Sequence, residues 1–327
     1  MLFFFSESDV LITQNDKILT GENHMTKYLT IDVGGTNIKY ALMDEQAVIY
    51  EKGEVPTPTK DAGEFVETLG QIYDRYAGEV QALAMSAPGR IDSSKGFFYT
   101  GGALQFIKNT DVAGMLKDRI PVPFCAENDA KSAALAELWK GSLKGYRSGS
   151  VIVLGTGIGG AIILDGKLVR GETFAAGEYS GIAAHWDSKV MGTSDNWANV
   201  NSTKNLVATY AKAAGLNASE IDGRYFFAKA NEGDETAVSV LKDFCAHLAT
   251  GIYSLQLILD VQRFCIGGGI SKQPVLMKTL QNEVDDLFAR VPFYSPAAKP
   301  EIASCTFGND ANMIGALYHY LYEVKAD

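Results

Sequence analysis

Between Glu235 and Asp260, apolar residues recur at alternating steps of three and four: Val238, Leu241, Cys245, Leu248, Ile252, Leu255 and Leu259. That spacing predicts a helix with one buried stripe. His247 falls off the stripe and reads as a surface or packing residue. A second stripe, Phe65, Val66, Leu69, Ile72, Tyr73 and Tyr76, predicts a helix starting near Asp61. Shorter helices are predicted near Asp111–Asp118, after Asp129 through Ala133, Ala134 and Leu138, and from Gly308 onward with Ile314, Leu317 and Leu321 inward. Residues 27 to 54 read as three strands in a meander, and Val80–Met85, Val122–Cys125 and Val261–Ile266 as further strands. Residues 185 to 203 hold Trp186, Trp197 and several Asn and Ser without a period, and read as a surface flap or lid.

Two strand pairs carry the same punctuation. In Tyr28–Leu42, a run containing Ile31 and Val33 favours extended backbone. Gly34 and Gly35 then offer positive φ and bare N–H groups, Asp32 adds a carboxylate, and Thr36 adds a hydroxyl for a phosphate oxygen. Such a turn can wrap a phosphate with backbone donors, and Asp32 is an oxygen ligand suited to Mg2+ through its waters. An isolated D-x-G-x-T is equally an ordinary hairpin. In Ser150–Leu164 the pattern returns, with Gly155, Thr156, Gly157, Gly159 and Gly160. Gly155, Gly157 and Gly160 match G-x-G-x-x-G, but the dinucleotide reading needs a helix after the glycines. Here Ala161–Leu164 runs into the hairpin signal Asp165-Gly166 and then Lys167-Leu168-Val169, which argues against a Rossmann fold. Two related hairpins in two halves suggest a duplicated phosphate clamp and resemble the actin, hexokinase and sugar-kinase superfamily. A third cluster, Gly267-Gly268-Gly269-Ile270-Ser271, follows a strand and precedes a helix, where a flat ring can lie against the backbone.

With 327 residues the chain has room for two domains and a large core. Its formal net charge of −10 argues against a general nucleic-acid or acidic-membrane binder. It leaves phosphorylated ligands open, because glycine turns and helix ends bind anions locally. The four cysteines, Cys125, Cys245, Cys265 and Cys305, are widely spaced and read as buried apolar residues in a reducing cytoplasm. The apolar start Met1–Phe5 is short, lacks a basic region and gives way to Ser6-Glu7-Ser8-Asp9, so neither a signal peptide nor a membrane span is expected. Residues 1–24 read as an extension ahead of a domain that begins near Met25, with Val10–Ile12 suited to an edge strand.

Other candidates are weaker alone. Ala87-Pro88-Gly89 is a rigid turn whose backbone can approach a ligand or simply connect two elements. Gly101-Gly102-Ala103-Leu104 opens a flexible loop. Asn128-Asp129 lies near a strand end and a helix start, where carboxylate charge is stabilised and a lone Asp is most often a cap. The pair also suits two adjacent hydroxyls. Gly177-Glu178 closes a small polar loop.

Taken in order, Asp32–Asn37, Ser86–Gly89, Glu127–Ala130, Gly155–Gly160, Gly177-Glu178, Gly267–Ser271 and Asn309–Ala311 resemble the ROK family (repressor, open reading frame, kinase) of bacterial sugar kinases. The resemblance implies an α/β, two-domain actin-like ATPase (ribonuclease H-like) fold, each domain a mixed sheet flanked by helices, with a cleft between. The expected domains are 25–135 and 136–308, the helix near 309–327 packing back onto the first. It further implies that Asp129 is the base for a sugar hydroxyl and that Asn128, Glu178, Gly89 and Gly102 line the sugar. Asp32, Gly34, Gly35, Thr36, Asn37, Lys39, Gly155, Thr156, Gly157 and Gly159 would hold the ATP phosphates, with Mg2+ on Asp32 through water. Gly268 and Gly269 would lie near adenosine. A homodimer in the cytoplasm is the family expectation.

Three departures stand out. Residues 179–203 contain no Cys, so the zinc motif of many family members is absent and no zinc site is expected. The histidine expected after Glu178 is replaced by Gly181, His185 lying outside that register, and the Asn that often precedes E-N-D-A is replaced around Gly102. Fewer side chains near the anomeric end make a β-glucoside, or a β-glucoside 6-phosphate product, an expectation beside free glucose. The rivals are a family repressor, which needs a basic helix-turn-helix that the acidic, β-like N-terminal segment does not supply, and a catalytically silent sugar sensor.

Overall fold

The computed structural model describes residues 25–184, 195–291 and 297–325. The N-terminal extension, His185 and Trp186 lie outside the described residues. In chain order the elements are β1 (Lys27–Val33), β2 (Asn37–Asp44), β3 (Ile49–Pro56), α1 (Ala62–Asp74) and β4 (Val80–Ala87). Three two-residue strands follow, β5 (Ile91–Asp92), β6 (Phe97–Phe98) and β7 (Thr110–Asp111), then α2 (Val112–Lys117), β8 (Phe124–Asn128) and α3 (Asp129–Lys140). Next come β9 (Gly149–Leu154), β10 (Ile158–Leu164), β11 (Lys167–Leu168), α4 (Trp197–Asn201), α5 (Thr203–Ala214), α6 (Gly223–Glu232) and α7 (Glu235–Leu259). The chain closes with β12 (Arg263–Gly267), α8 (Pro274–Arg290), β13 (Glu301–Ser304) and α9 (Ala311–His319), which runs on into a π-helical turn, Tyr320–Val324.

The two large sheets are copies of one plan. The first has the order β3-β2-β1-β4-β8 and the second β11-β10-β9-β12-β13. In each, an antiparallel meander is extended by two parallel strands on the far side of its first strand. Register makes the repeat explicit. Val33 pairs with Ile38 across the first glycine turn, and Leu154 pairs with Ile158 across the second. One step back, Asp32 faces Lys39 and, on the parallel side, Ser86, whereas Val153 faces Gly159 and Gly267. The carboxylate of the first turn therefore has a valine as its counterpart in the second.

Two helices occupy the space between the sheets. Ala133 and Ala136 of α3 pack with Ile314 and Leu317 of α9 and with Tyr28, Met43 and Ala84 of the first sheet. Ala134 and Leu135, on the other side of α3, join Val151, Ala161 and Cys265 of the second sheet. Small residues let α3 lie this close on both faces. The approach is tightest where Gly315 meets Ser132: a Cβ on Gly315 would overlap the Ser132 backbone. Helices α1 and α2 cover the outer side of the first sheet, and α5 to α8 build the core beside the second.

Several expectations shift. Val238 is 45% exposed and does not belong to the α7 stripe, which Val240 and Phe244 fill instead. Trp197 is buried in α4, so the described part of the expected flap is a packed helix. Asn128, not Asp129, caps α3 by accepting from the Lys131 N–H at 3.2 Å. The cysteines, by contrast, follow expectation: all four are buried and free.

Candidate active site

The strands that flank the first glycine turn border a cavity of about 180 Å³ between the repeats. Asp32 and Lys39 line it on one side, Val153, Gly267 and Gly268 on another, and Asn312 of α9 on a third. A neighbouring cavity of about 520 Å³ is lined by Gly155, Thr156, Lys204, Asp222, Gly269 and Ile270. The Gly267–Ile270 segment borders both.

Asp32 is 9% exposed. Its Oδ1 accepts from Asn312 Nδ2 at 2.9 Å. Burial raises its pKa, while Asn312, Lys39 and Ser86 pull the other way. Part of the expectation for the turns is corrected here. None of Gly34, Gly35, Gly155 and Gly157 has a positive φ. Their lack of side chains serves close approach and open space instead. A Cβ on Gly34 would lie 2.9 Å from the Asn37 carbonyl oxygen and one on Gly35 3.2 Å from the Ala103 Cβ, while Gly155 faces open space. Thr57 holds the first turn by donating to the Gly34 carbonyl at 2.7 Å. Thr36 is exposed, and the Asn37 amide points to Glu54 at 3.4 Å. Gly159 packs under α3, where an added Cβ would stand 3.0 Å from the Ala130 Cβ. Gly268 does have a positive φ, +91°, and its Cα lies so near the Leu154 carbonyl that no Cβ fits. Gly269 faces open space.

Asp129 is the first residue of α3 and stands where these elements meet. Its Oδ1 accepts from the Ala130 N–H at 2.7 Å. Burial pushes its pKa up to about 6, and the charges of Asp32 and Glu178 add to the rise. Three carboxylates expected to act together thus share one electrostatic neighbourhood. Asn128 is buried and already engaged: it caps α3 and its Nδ2 donates to the Gly89 carbonyl at 2.9 Å. Gly89 (φ +103°) and Gly102 (φ +57°) lie back to back, since a Cβ on Gly102 would stand 2.9 Å from the Pro88 Cβ. Glu178 is exposed and lies within the fields of Lys131 and Arg90.

Residues not singled out in the sequence complete the site. Lys131 is 1% exposed, and its Nζ donates to the Phe174 carbonyl at 2.7 Å. Arg170 Nε donates to Glu127 Oε2 at 2.7 Å. Lys131 is the one lysine among the alanines that open α3, and that break in composition was the available signal. Asn312 falls in the helix predicted from Gly308 onward, but its partner 280 positions away is set by tertiary packing.

The family model described as ROK family matches residues 28–322. The chain belongs to the ROK family. It is 27% identical over 297 residues to a beta-glucoside kinase of Listeria monocytogenes, covering 91% of this chain and 98% of that one. It is 28% identical over 315 residues to a glucokinase of Halalkalibacterium halodurans, covering 88% and 93%. Among solved structures, a ROK family protein from Streptococcus pneumoniae in complex with sucrose superposes with a TM-score of 0.82 at 28% identity, over 92% of this chain and all of the other. The ROK chain has the actin-like ATPase fold, and the two curated relatives just described bear the names of sugar kinases. Among the described residues no helix is long and apolar enough to cross a membrane, and no group of three or more His, Cys, Asp or Glu is placed to hold a metal.

Proposed function

We propose that this protein transfers the γ-phosphoryl group of ATP to a hydroxyl of a hexose or hexoside, with the 6-hydroxyl of glucose or of a β-glucoside as acceptor. The observation that carries the reading is that Asp129, at the start of α3, lies within the electrostatic reach of both Asp32 and Glu178. In that reading Asp129 orients the sugar hydroxyl and takes its proton late, as the new O–P bond forms and the bond to ADP breaks. A loose transition state asks for positioning and charge neutralisation more than for a strong base. The backbone turns at Gly34–Thr36 and Gly155–Gly157 receive the phosphates, and the cavity beside Gly269 receives adenosine.

The residues fit Mg2+ as an ion carried mainly by phosphates and water. Asp32 offers a buried carboxylate at the cavity wall, held by Asn312, which matches the preference of Mg2+ for one or two carboxylates beside phosphate oxygens. When bound, the ion neutralises phosphate charge. A cytoplasmic location belongs to the same proposal and is supported by four free, buried cysteines.

A β-glucoside acceptor is favoured by the space around Gly181, where a Cβ would meet nothing within 4 Å, and by the Listeria relative's name. The test is a panel of glucose, cellobiose and methyl β-glucoside with coupled ADP detection. Turnover of the glycosides at least equal to that of glucose is expected. Activity confined to free glucose would remove the glycoside, and no sugar-dependent ADP at all would remove the kinase reading.

A further inference from the structure

The turn that bears Asp129 holds two other segments in place through three side chains. Asn128 holds Gly89, as described. Two residues before Asp129, Glu127 is 1% exposed, with Oε1 accepting from the Asn128 N–H at 2.8 Å and Oε2 from Arg170 at 2.7 Å. Two residues after it, Lys131 donates to the Phe174 carbonyl. Arg170 and Phe174 both belong to the loop that ends at Glu178. Glu127 and Lys131 therefore fasten that loop on either side of Asp129.

The fastening is costly, which argues for a role. Lys131 is as buried as the alanines around it, and an unbranched apolar side chain would fill the same volume without desolvating an ammonium. What a lysine adds is a donor for the Phe174 carbonyl and a positive charge among Glu127, Glu178 and Asp129. Phe174 has φ +61°, a conformation few bulky residues adopt. Arg170 is held in turn from behind: it pairs with Glu323, whose Oε2 lies 2.7 Å from His319 Nδ1 at the end of α9.

We propose that Lys131 and Arg170 are positioning residues that clamp the Arg170–Glu178 loop and fix the spacing between Asp129 and Glu178. The proposal rests on the reading of those two carboxylates as the sugar-facing pair. It differs from a merely structural role in predicting a defect confined to the sugar side.

The test compares Lys131→Met, Arg170→Gln and Arg170→Lys with the parent, measuring kcat, KM for the sugar, KM for ATP and amide exchange of residues 170–178. Lys131→Met and Arg170→Gln should raise KM for the sugar about tenfold or more, with KM for ATP within about twofold, because small misplacements at a reacting site cost that much or more. Exchange should quicken in the 170–178 loop and not in β1 or β9. Arg170→Lys, which keeps the charge, should recover part of the loss. Unchanged sugar KM with unchanged loop exchange overturns the proposal, and so do parallel rises in both KM values. If Lys131→Met yields no folded protein, the two Arg170 variants decide by the same criteria. Asp129→Asn is run alongside: normal turnover there would remove Asp129 from the base role on which the proposal rests, and loop exchange would then judge the clamp by itself.

Discussion

Asn312 donates a hydrogen bond to Asp32 across 2.9 Å, joining the start of α9 to the end of β1. The bond fixes the orientation of the Asp32 carboxylate at a cavity wall that Asn312 shares. It also opposes the desolvation that burial imposes on Asp32. Asn312→Leu removes the donor and leaves the ionised carboxylate harder to maintain. The variant should need more Mg2+ for half-maximal rate and lose about tenfold or more in kcat, a size typical of outer-shell partners of a metal-binding carboxylate. A Mg2+ titration of the rate at saturating sugar checks this.

Asp129 makes a pH prediction with a definite sign. Its carboxyl is raised from 3.8 to about 6, so the free enzyme should lose kcat/KM with unit slope as pH falls through about 6. The groups facing it are Asp32 from β1, Glu178 from the loop after β11 and Lys131 on its own helix. Glu178→Gln removes a negative neighbour and should move the limb to lower pH. A pH profile of kcat/KM for the sugar is the measurement.

The same shift bears on stability. Near pH 3 and below, Asp129 is protonated in folded and unfolded chain alike. As pH rises between about 4 and 6, the unfolded chain ionises first, and stability falls. Above about 6 the loss is complete, on the order of 1–3 kcal/mol. Asp129→Asn should therefore melt higher than the parent near pH 8 and no higher near pH 3, as followed by thermal unfolding at the two pH values.

Two glycines separate packing from ligand contact. At Gly315 a Cβ has no room against Ser132, so Gly315→Ala should cost about 2 kcal/mol or more by forcing α9 off α3. Gly269→Val adds its side chain to open space at the second cavity and should leave unfolding unchanged while raising KM for ATP several-fold. Denaturant unfolding and ATP saturation curves distinguish the two.

The elements most legible in the sequence were those whose signal is local. The α7 period, the Asp61 cap of α1 and the two strand-turn-strand repeats depend on neighbours in the chain. Val238 misled because α5 and α6 approach α7 from a side that its three-four spacing does not encode. Residue type suggests positive φ at Gly34 and Gly35, but glycine there serves the close approach of the Asn37 carbonyl within the turn and of Ala103, which only the fold brings near. The bond from Asn128 to the Gly89 carbonyl is not legible locally, because Gly89 follows a different strand. Lys131 and Arg170 were passed over because their partners lie more than forty residues away.

The central claim is that Asp129 acts on the sugar hydroxyl between two phosphate-binding turns. The direct measurement is single-turnover phosphoryl transfer by Asp129→Asn, with sugar and ATP binding measured by calorimetry on the same preparation. The account predicts that both ligands still bind while transfer slows by about 10²-fold or more. Transfer at the parental rate, with binding intact, would contradict it.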